Sequence, residues 1–185
     1  VPRILAISGS LRKQSHNTGL LRAAAEQAPE GTTIEIYEDL ESLPPYNEDR
    51  DSDPGPAVVE ELRRRIREAD ALLFSTPEYN TTMPGQLKHL VDWGSRPYGP
   101  AAALNGKPAA VIGASKAEYG ALWAQDHLRK ALALAGARVT EVELPVGRSH
   151  EKFDETGKLT DQETIDQLEE IIAALVAHHG SLVAS

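Results

Sequence analysis

A chain of 185 residues with a formal charge of −9 and no cysteine excludes disulfides, thiolate metal sites and Cys-ligated iron–sulfur clusters. Its acidity argues against nucleic acid, which needs a basic face to displace counterions. The 41% apolar and 25% charged composition is ordinary for a globular protein and suits one domain over 1–185, burying roughly 70% of its unfolded surface. With no apolar run of bilayer length and no leader-like start, the expectation is a soluble, cytoplasmic protein without a membrane partner.

Ile4-Leu5-Ala6-Ile7 is a continuous apolar run, the pattern of a parallel strand covered on both faces. Leu20, Leu21, Ala24, Ala25 and Ala28 then form a helical stripe ended by Gly31. Ile34-Glu35-Ile36-Tyr37 alternates, as an edge strand with one wet face does. A long acidic, proline-bearing loop from Glu41 to Pro56 precedes a helix with Val58, Val59, Leu62, Ile66 and Ala69 on its apolar stripe. On that helix Arg63-Arg64-Arg65 and Arg67 read as a solvated outer face.

Ala71-Leu72-Leu73-Phe74 and Ala109-Ala110-Val111-Ile112 are two further buried-strand runs. Between them lies a helix begun by Pro84, where a missing N–H costs nothing, with Leu87, Leu90 and Val91 inward. A second long loop runs from Arg96 to Pro108. Leu128, Leu132 and Ala135 mark a helix closed by Gly136, and Val142-Glu143-Leu144 is expected as a second edge strand. The final helix is expected to start at a Thr160-x-x-Glu163 capping box, with Ile165, Leu168, Ile172 and Leu175 inward.

Strand–helix alternation repeated five times predicts an α/β fold: a doubly wound, five-stranded parallel sheet with helices on both faces. In the order 2-1-3-4-5, ligands bind past the carboxyl ends of strands one and three, where strand order reverses. The loops leaving those strands carry the chemistry. In the first, Gly9 permits a tight turn, Ser10, Ser15 and Thr18 supply hydroxyls, Arg12 a guanidinium, and Asn17 an N-cap amide. With the helix N-terminus they make an anion site. In the second, Pro77 stiffens the exit, Tyr79 offers a ring, Asn80 an amide, and Glu78 a solvent-facing carboxylate. His89 beyond it reads as a surface or packing residue.

Other nucleotide motifs fail on spelling. There is no G-x-G-x-x-G, no G-x-x-x-x-G-K-[ST] and no G-x-S-x-G. No pair of histidines has metal-ligand spacing with carboxylate support, so no metal is expected. Loops that shape a pocket without an acid, base or nucleophile suit a cofactor that does its own chemistry.

Gly9-Ser10-Leu11-Arg12-x-x-Ser15-x-Asn17, with Pro77-Glu78-Tyr79-Asn80-x-x-x-Pro84-Gly85-x-Leu87-Lys88, resembles the NADPH-dependent FMN reductase family of flavodoxin-like quinone, chromate and azo-dye reductases. The resemblance implies FMN, its phosphate on Ser10, Arg12, Ser15, Asn17 and Thr18 and its ring against Pro77, Glu78, Tyr79 and Asn80. Ser115 and Gly120 match the family's flavin-edge loop, although Lys116-Ala117-Glu118-Tyr119 is bulkier than the family's Ser-Pro-Gly-Gly-like version. Thr82 stands where relatives often have Ser, and His89 where they often have Asn.

The resemblance also implies a homodimer or homotetramer. Leu43 to Asp49 would approach the partner's flavin, and Trp93 and Tyr98 would be interface candidates. The implied activity is hydride transfer from NADPH or NADH to FMN N5, with no obligatory catalytic side chain, then ping-pong reduction of a quinone or similar acceptor. Arg12, Lys13 and Lys116 are candidates for favouring the extra phosphate of NADPH. Two alternatives stay open: a reductase of free FMN serving a monooxygenase, and a flavodoxin-like electron carrier.

Overall fold

The computed structural model describes residues 1–183, and side chains through residue 177. Six strands are all parallel: β1 (Arg3–Ser8), β2 (Thr33–Tyr37), β3 (Ala71–Ser75), β4 (Pro108–Ala114), β5 (Arg138–Val139) and β6 (Pro145–Val146). Five helices connect or cover them: α1 (His16–Glu26), α2 (Ala57–Glu68), α3 (Gly85–Gly94), α4 (Leu122–Leu134) and α5 (Gln162–Val183). The sheet order is β2-β1-β3-β4-β5, as expected, with the switch point between β1 and β3.

Each central strand alternates its side chains between two apolar layers. Leu5, Ile7, Leu72, Phe74 and Val111 pack against α2, α3 and α4 through residues including Leu62, Ile66, Leu90, Trp93 and Leu128. Ile4, Ala6, Leu73, Ala110 and Ile112 pack against α1 and α5 through Leu20, Leu21, Ala24, Leu168 and Ile172. Burial on both faces is why these runs carry no polar alternation.

The far edge departs from expectation. Val142-Glu143-Leu144 is not a strand; the fifth position is filled by β5 beside Pro108–Ala109 and β6 beside Gly113–Ala114. The chain loops out between them because the Arg129 guanidinium takes the Thr140 and Val142 carbonyls. Pro145, which has no N–H to give, takes the first position of β6, where a strand tolerates proline.

Three local expectations are also corrected. The α5 cap is Asp161, whose carboxylate accepts from the Thr164 N–H at 3.1 Å, one residue beyond the Thr160 box. Arg63 is not solvated but 4% exposed, bonded to Asp51 at 2.8 Å, Glu60 at 2.9 Å and the Trp93 carbonyl at 3.1 Å. Trp93 is fully buried, which removes it as an interface residue. Its indole N–H donates to the Pro44 carbonyl at 2.9 Å and anchors the 41–56 loop. His89 accepts from the Tyr46 N–H at 3.1 Å, a packing role as read from the sequence.

Candidate functional site

The two motif loops meet at the switch point. The Gly9 N–H donates to the Ser75 carbonyl at 2.8 Å. A Cβ on Gly9 would lie 2.8 Å from Leu87 Cδ2 and 3.2 Å from Pro77 Cδ. Leu87 of α3 and Pro77 of the second loop thus crowd this position, which glycine suits.

Ser15, not Asn17, caps α1: its hydroxyl accepts from the Asn17 and Thr18 N–H groups at 3.1 and 3.4 Å. That leaves the Ser15 hydroxyl proton to donate. The Asn17 amide is spent on the framework, clamping Ala114 on β4 and accepting from the Ser75 hydroxyl at 2.9 Å. The Thr18 hydroxyl donates to Ser8 Oγ at 2.9 Å. Ser10 accepts from the Arg12 N–H at 3.4 Å, turning the loop outward. Arg12 is exposed and enters no salt bridge among the described residues.

In the second loop, Tyr79 and Thr82 exchange backbone hydrogen bonds at 2.9 and 3.2 Å. Asn80 and Thr81 between them have φ of 50° and 65°. Positive φ at both central residues is the type I′ signature, which favours Asn then Gly. Thr81 is β-branched in the left-handed region, a strained choice of the kind that clusters at functional sites. The turn lifts Tyr79 to 51% exposure. Two side chains fasten it to α4. Glu78 Oε2 accepts from the Ala124 N–H at 3.0 Å, so its carboxylate caps α4 rather than facing solvent. Thr82 Oγ1 bonds His127 Nδ1 at 2.9 Å.

The third loop leaves β4. The Ser115 N–H donates to the Val146 carbonyl at 3.0 Å and its carbonyl accepts from the Ser149 N–H at 3.0 Å. Gly120, at φ 58°, has no room for a Cβ against the Pro145–Gly147 backbone. Buried Gln125 holds its carbonyl at 2.9 Å. The bulkier segment that departs from the family pattern presents Tyr119 edge-on to Trp123 at 5.3 Å, both exposed.

Ser10, Arg12, Ser15, Asn17, Pro77, Glu78, Tyr79 and Ser115 line one open cleft of about 260 Å³. Thr18, Asn80, Thr82 and Gly120 do not line it; they brace its loops. His16, Ala114, Lys116 and Ser149 complete it. His16 and Ser149 were missed because one is an unspecified motif position and the other follows the split edge strand. Their side chains meet, His16 Nδ1 to Ser149 Oγ at 2.8 Å. Burial holds the His16 pKa below its usual value, reinforced by the positive charges of Arg12, Lys116 and His150. An acidic protein thus carries a locally positive cleft.

An open parallel sheet of order β2-β1-β3-β4-β5 with a cleft at its switch point defines a flavodoxin-like protein. Comparison with known proteins sharpens this. The model of the NADPH-dependent FMN reductase family matches residues 2–151. The chain is 41% identical over 174 residues to an NAD(P)H-dependent FMN reductase of Pseudomonas aeruginosa, covering 94% of this chain and 92% of that one. It is 39% identical to a quinone reductase of Pseudomonas putida, over 86% and 85% of the two chains. A solved flavoenzyme NAD(P)H:(acceptor) oxidoreductase from Paracoccus denitrificans superposes with a TM-score of 0.86 at 35% identity, covering 98% of each chain. The chain belongs to the NADPH-dependent FMN reductase family. It is an oxidoreductase that uses FMN with NAD(P)H as hydride donor.

Proposed function

We propose that the chain is one FMN-binding domain that reduces quinones, with FMN lying along the switch-point cleft. Its phosphate is held by Ser10, Arg12, Ser15 and the first turn of α1, which Thr18 and Asn17 brace from behind. The ring lies against Pro77, Tyr79 and the backbone of Glu78 and Asn80, with Ser115 at its edge, Gly120 shaping that edge and Thr82 fixing the turn. The observation that carries this reading is the pair Arg12 and Lys116. Neither enters a salt bridge among the described residues, yet both line the cleft beside the Ser10 and Ser15 hydroxyls. Charge-assisted bonds of about 1.5–3 kcal/mol each offset the repulsion between a phosphate and a net charge of −9.

The chemistry such a cofactor supplies is hydride acceptance at its N5 and return of two electrons to an oxidant. The protein's own groups bind, orient and exclude water. The fixed I′ turn keeps Tyr79 at one edge of the cleft, and the Glu78–Ala124 and Thr82–His127 bonds keep that edge registered with α4. A quinone acceptor is favoured by the names of the relatives in Pseudomonas putida and Arabidopsis thaliana; chromate and azo compounds are further acceptors of the same kind. We also infer a cytoplasmic homodimer or homotetramer. No helix among the described residues is long and apolar enough to cross a membrane, and exposed Tyr98 with the Leu43–Asp49 segment remains the interface candidate.

The test is anaerobic. Purified protein should retain yellow flavin that bleaches with NADPH and recovers with a benzoquinone. Protein that neither retains FMN nor oxidises NADPH would overturn the reading. Flavin that washes out on dilution while NADPH oxidation persists with added FMN would favour the free-FMN reductase instead.

A further inference from the structure

His16 is the first residue of α1 and lines the switch-point cleft together with Arg12, Ser15 and Lys116. Two contacts hold its imidazole. Nδ1 lies 2.8 Å from Ser149 Oγ, and the ring stacks on Phe153 with centroids 4.5 Å apart and planes 4° apart. Gly19 leaves room for that stack, because a Cβ there would sit 2.7 Å from Phe153 Cε1. Nε2 has no hydrogen-bond partner among the described residues. A held imidazole with one open nitrogen thus adjoins Ser15, the hydroxyl that caps the helix.

Neither contact selects a protonation state. A hydroxyl donates to the lone pair of a neutral imidazole or accepts from the N–H of an imidazolium. An aromatic face packs against either form and attracts the cation. What holds the ring neutral is its burial first, and then the positive charges of Arg12, Lys116 and His150. The helix N-terminus acts in the same direction, since its dipole disfavours a cation.

A bound anion removes the electrostatic part of that penalty. The other charged groups around the ring are Lys13 and Arg22, with Asp154 and Glu155 on the turn that carries Phe153. Across the cleft the Glu78 carboxylate accepts from the Ala124 N–H. To whatever sum these groups make, a phosphate monoester adds about −1.5 to −2 charge. Placed on Ser10, Arg12, Ser15 and the first turn of α1, it neutralises the guanidinium and the dipole that oppose the imidazolium. The change on binding, rather than the net charge of the cleft, sets the direction.

We propose that His16 is a ligand of the FMN phosphate that binds it as the imidazolium, so that the cofactor enters with a proton taken up from solvent. The inference rests on the FMN reading above. In the charged ring Nδ1–H donates to Ser149 Oγ, and Nε2–H is available to a phosphate oxygen. Loading raises the affinity of His16 for its proton, so FMN binding by this residue strengthens as pH falls through the range between the two values. The phosphate's own second ionisation, near pH 6, works the other way when the dianion binds. It is common to every variant and cancels in a comparison.

The experiment is calorimetric titration of the flavin-free full chain with FMN at about pH 6.5, the ordinary imidazole value. It is run in PIPES and in bis-Tris, whose different heats of ionisation count the protons exchanged. The parent protein should take up at least about 0.3 proton per FMN more than His16→Gln does. Riboflavin, which has no phosphate, should show no such difference. Melting temperatures establish that the variant folds. If it does not, the imidazole of the parent is followed by NMR with and without FMN, and its titration should move upward on loading. Equal proton counts in parent and variant overturn the proposal, as does a titration that FMN leaves in place or lowers. The same difference with riboflavin would tie the proton to the ring and overturn it too. FMN binding with equal proton counts defeats this inference alone, whereas a chain that binds no FMN defeats the reading beneath it as well.

Discussion

The side chain of Asn17 clamps the backbone of Ala114 from both sides. Its Nδ2–H donates to the Ala114 carbonyl at 3.1 Å and its Oδ1 accepts from the Ala114 N–H at 2.9 Å, across 97 residues of sequence. The same Oδ1 accepts from Ser75 on β3. One amide in the first turn of α1 thereby sets the relative positions of all three loops around the cleft. A residue read from sequence as a helix cap turns out to be the joint of the site.

Asn17→Ala should therefore act on stability as well as on binding. It strands buried polar groups on Ala114 and Ser75, each costing about 1–3 kcal/mol, so a loss of about 3 kcal/mol is expected. Urea unfolding should show a lower midpoint with an unchanged slope. A loss below about 1 kcal/mol would mean that the clamp is not what registers α1 against β4.

Arg63→Ala should be as damaging, although it lies far from the cleft on a helix rich in exposed arginines. It removes the buried partner of Asp51 and Glu60 and a donor to the Trp93 carbonyl. Breaking such a pair from one side costs about 3 kcal/mol or more. Arg64→Ala, whose ion pairs with Glu61 and Glu68 are exposed, should change stability by less than about 1 kcal/mol. Equal effects from the two variants would contradict the buried role of Arg63.

The contrast between these arginines shows what the sequence could and could not disclose. Ile4–Ile7, Ala71–Phe74 and Ala109–Ile112 were legible as central strands because burial on both faces writes itself as an unbroken apolar run. Topology then placed the loops after β1 and β3 together without reference to any ligand. Arg63 looked like its neighbours because two of its three partners, Asp51 and the Trp93 carbonyl, come from a loop and another helix, which no local periodicity encodes. The burial of Trp93 was hidden for the same reason, its N–H being satisfied by Pro44 across the fold. The split edge strand was hidden because alternation at 142–144 says nothing of Arg129 taking the carbonyls.

Thr81→Gly should stabilise the fold. The left-handed conformation costs a β-branched residue about 1–2 kcal/mol, and the added entropy of glycine offsets about 0.5–1 kcal/mol of that gain. A net increase of about 0.5–1 kcal/mol in denaturant unfolding is expected. A destabilised Thr81→Gly protein would show that the threonine side chain contributes something beyond its strained backbone.

His16 gives stability a pH dependence. Its folded pKa lies below the ordinary 6.5, through burial first and the neighbouring positive charges second. Between that lowered value and 6.5 the unfolded chain binds more protons, so stability falls as pH drops through this window and levels off beneath it. An NMR titration of the imidazole should show the lowered value in flavin-free protein, and His16→Gln should remove the slope. Filling the cleft with inorganic phosphate should move the pKa upward, because the anion neutralises Arg12 and Lys116. A titration at or above 6.5 in flavin-free protein would contradict the positive field assigned to the cleft.

The phosphate cradle itself is tested most directly by titrating flavin-free protein with FMN and with riboflavin, which share the ring and differ in the phosphate. Fluorescence quenching should give FMN at least a hundredfold tighter binding, roughly two charge-assisted contacts. Arg12→Ala should cost FMN at least tenfold, one such contact, while leaving riboflavin affinity and the melting temperature unchanged. Equal affinity for FMN and riboflavin in the parent protein would mean that the loop from Gly9 to Thr18 does not hold a phosphate.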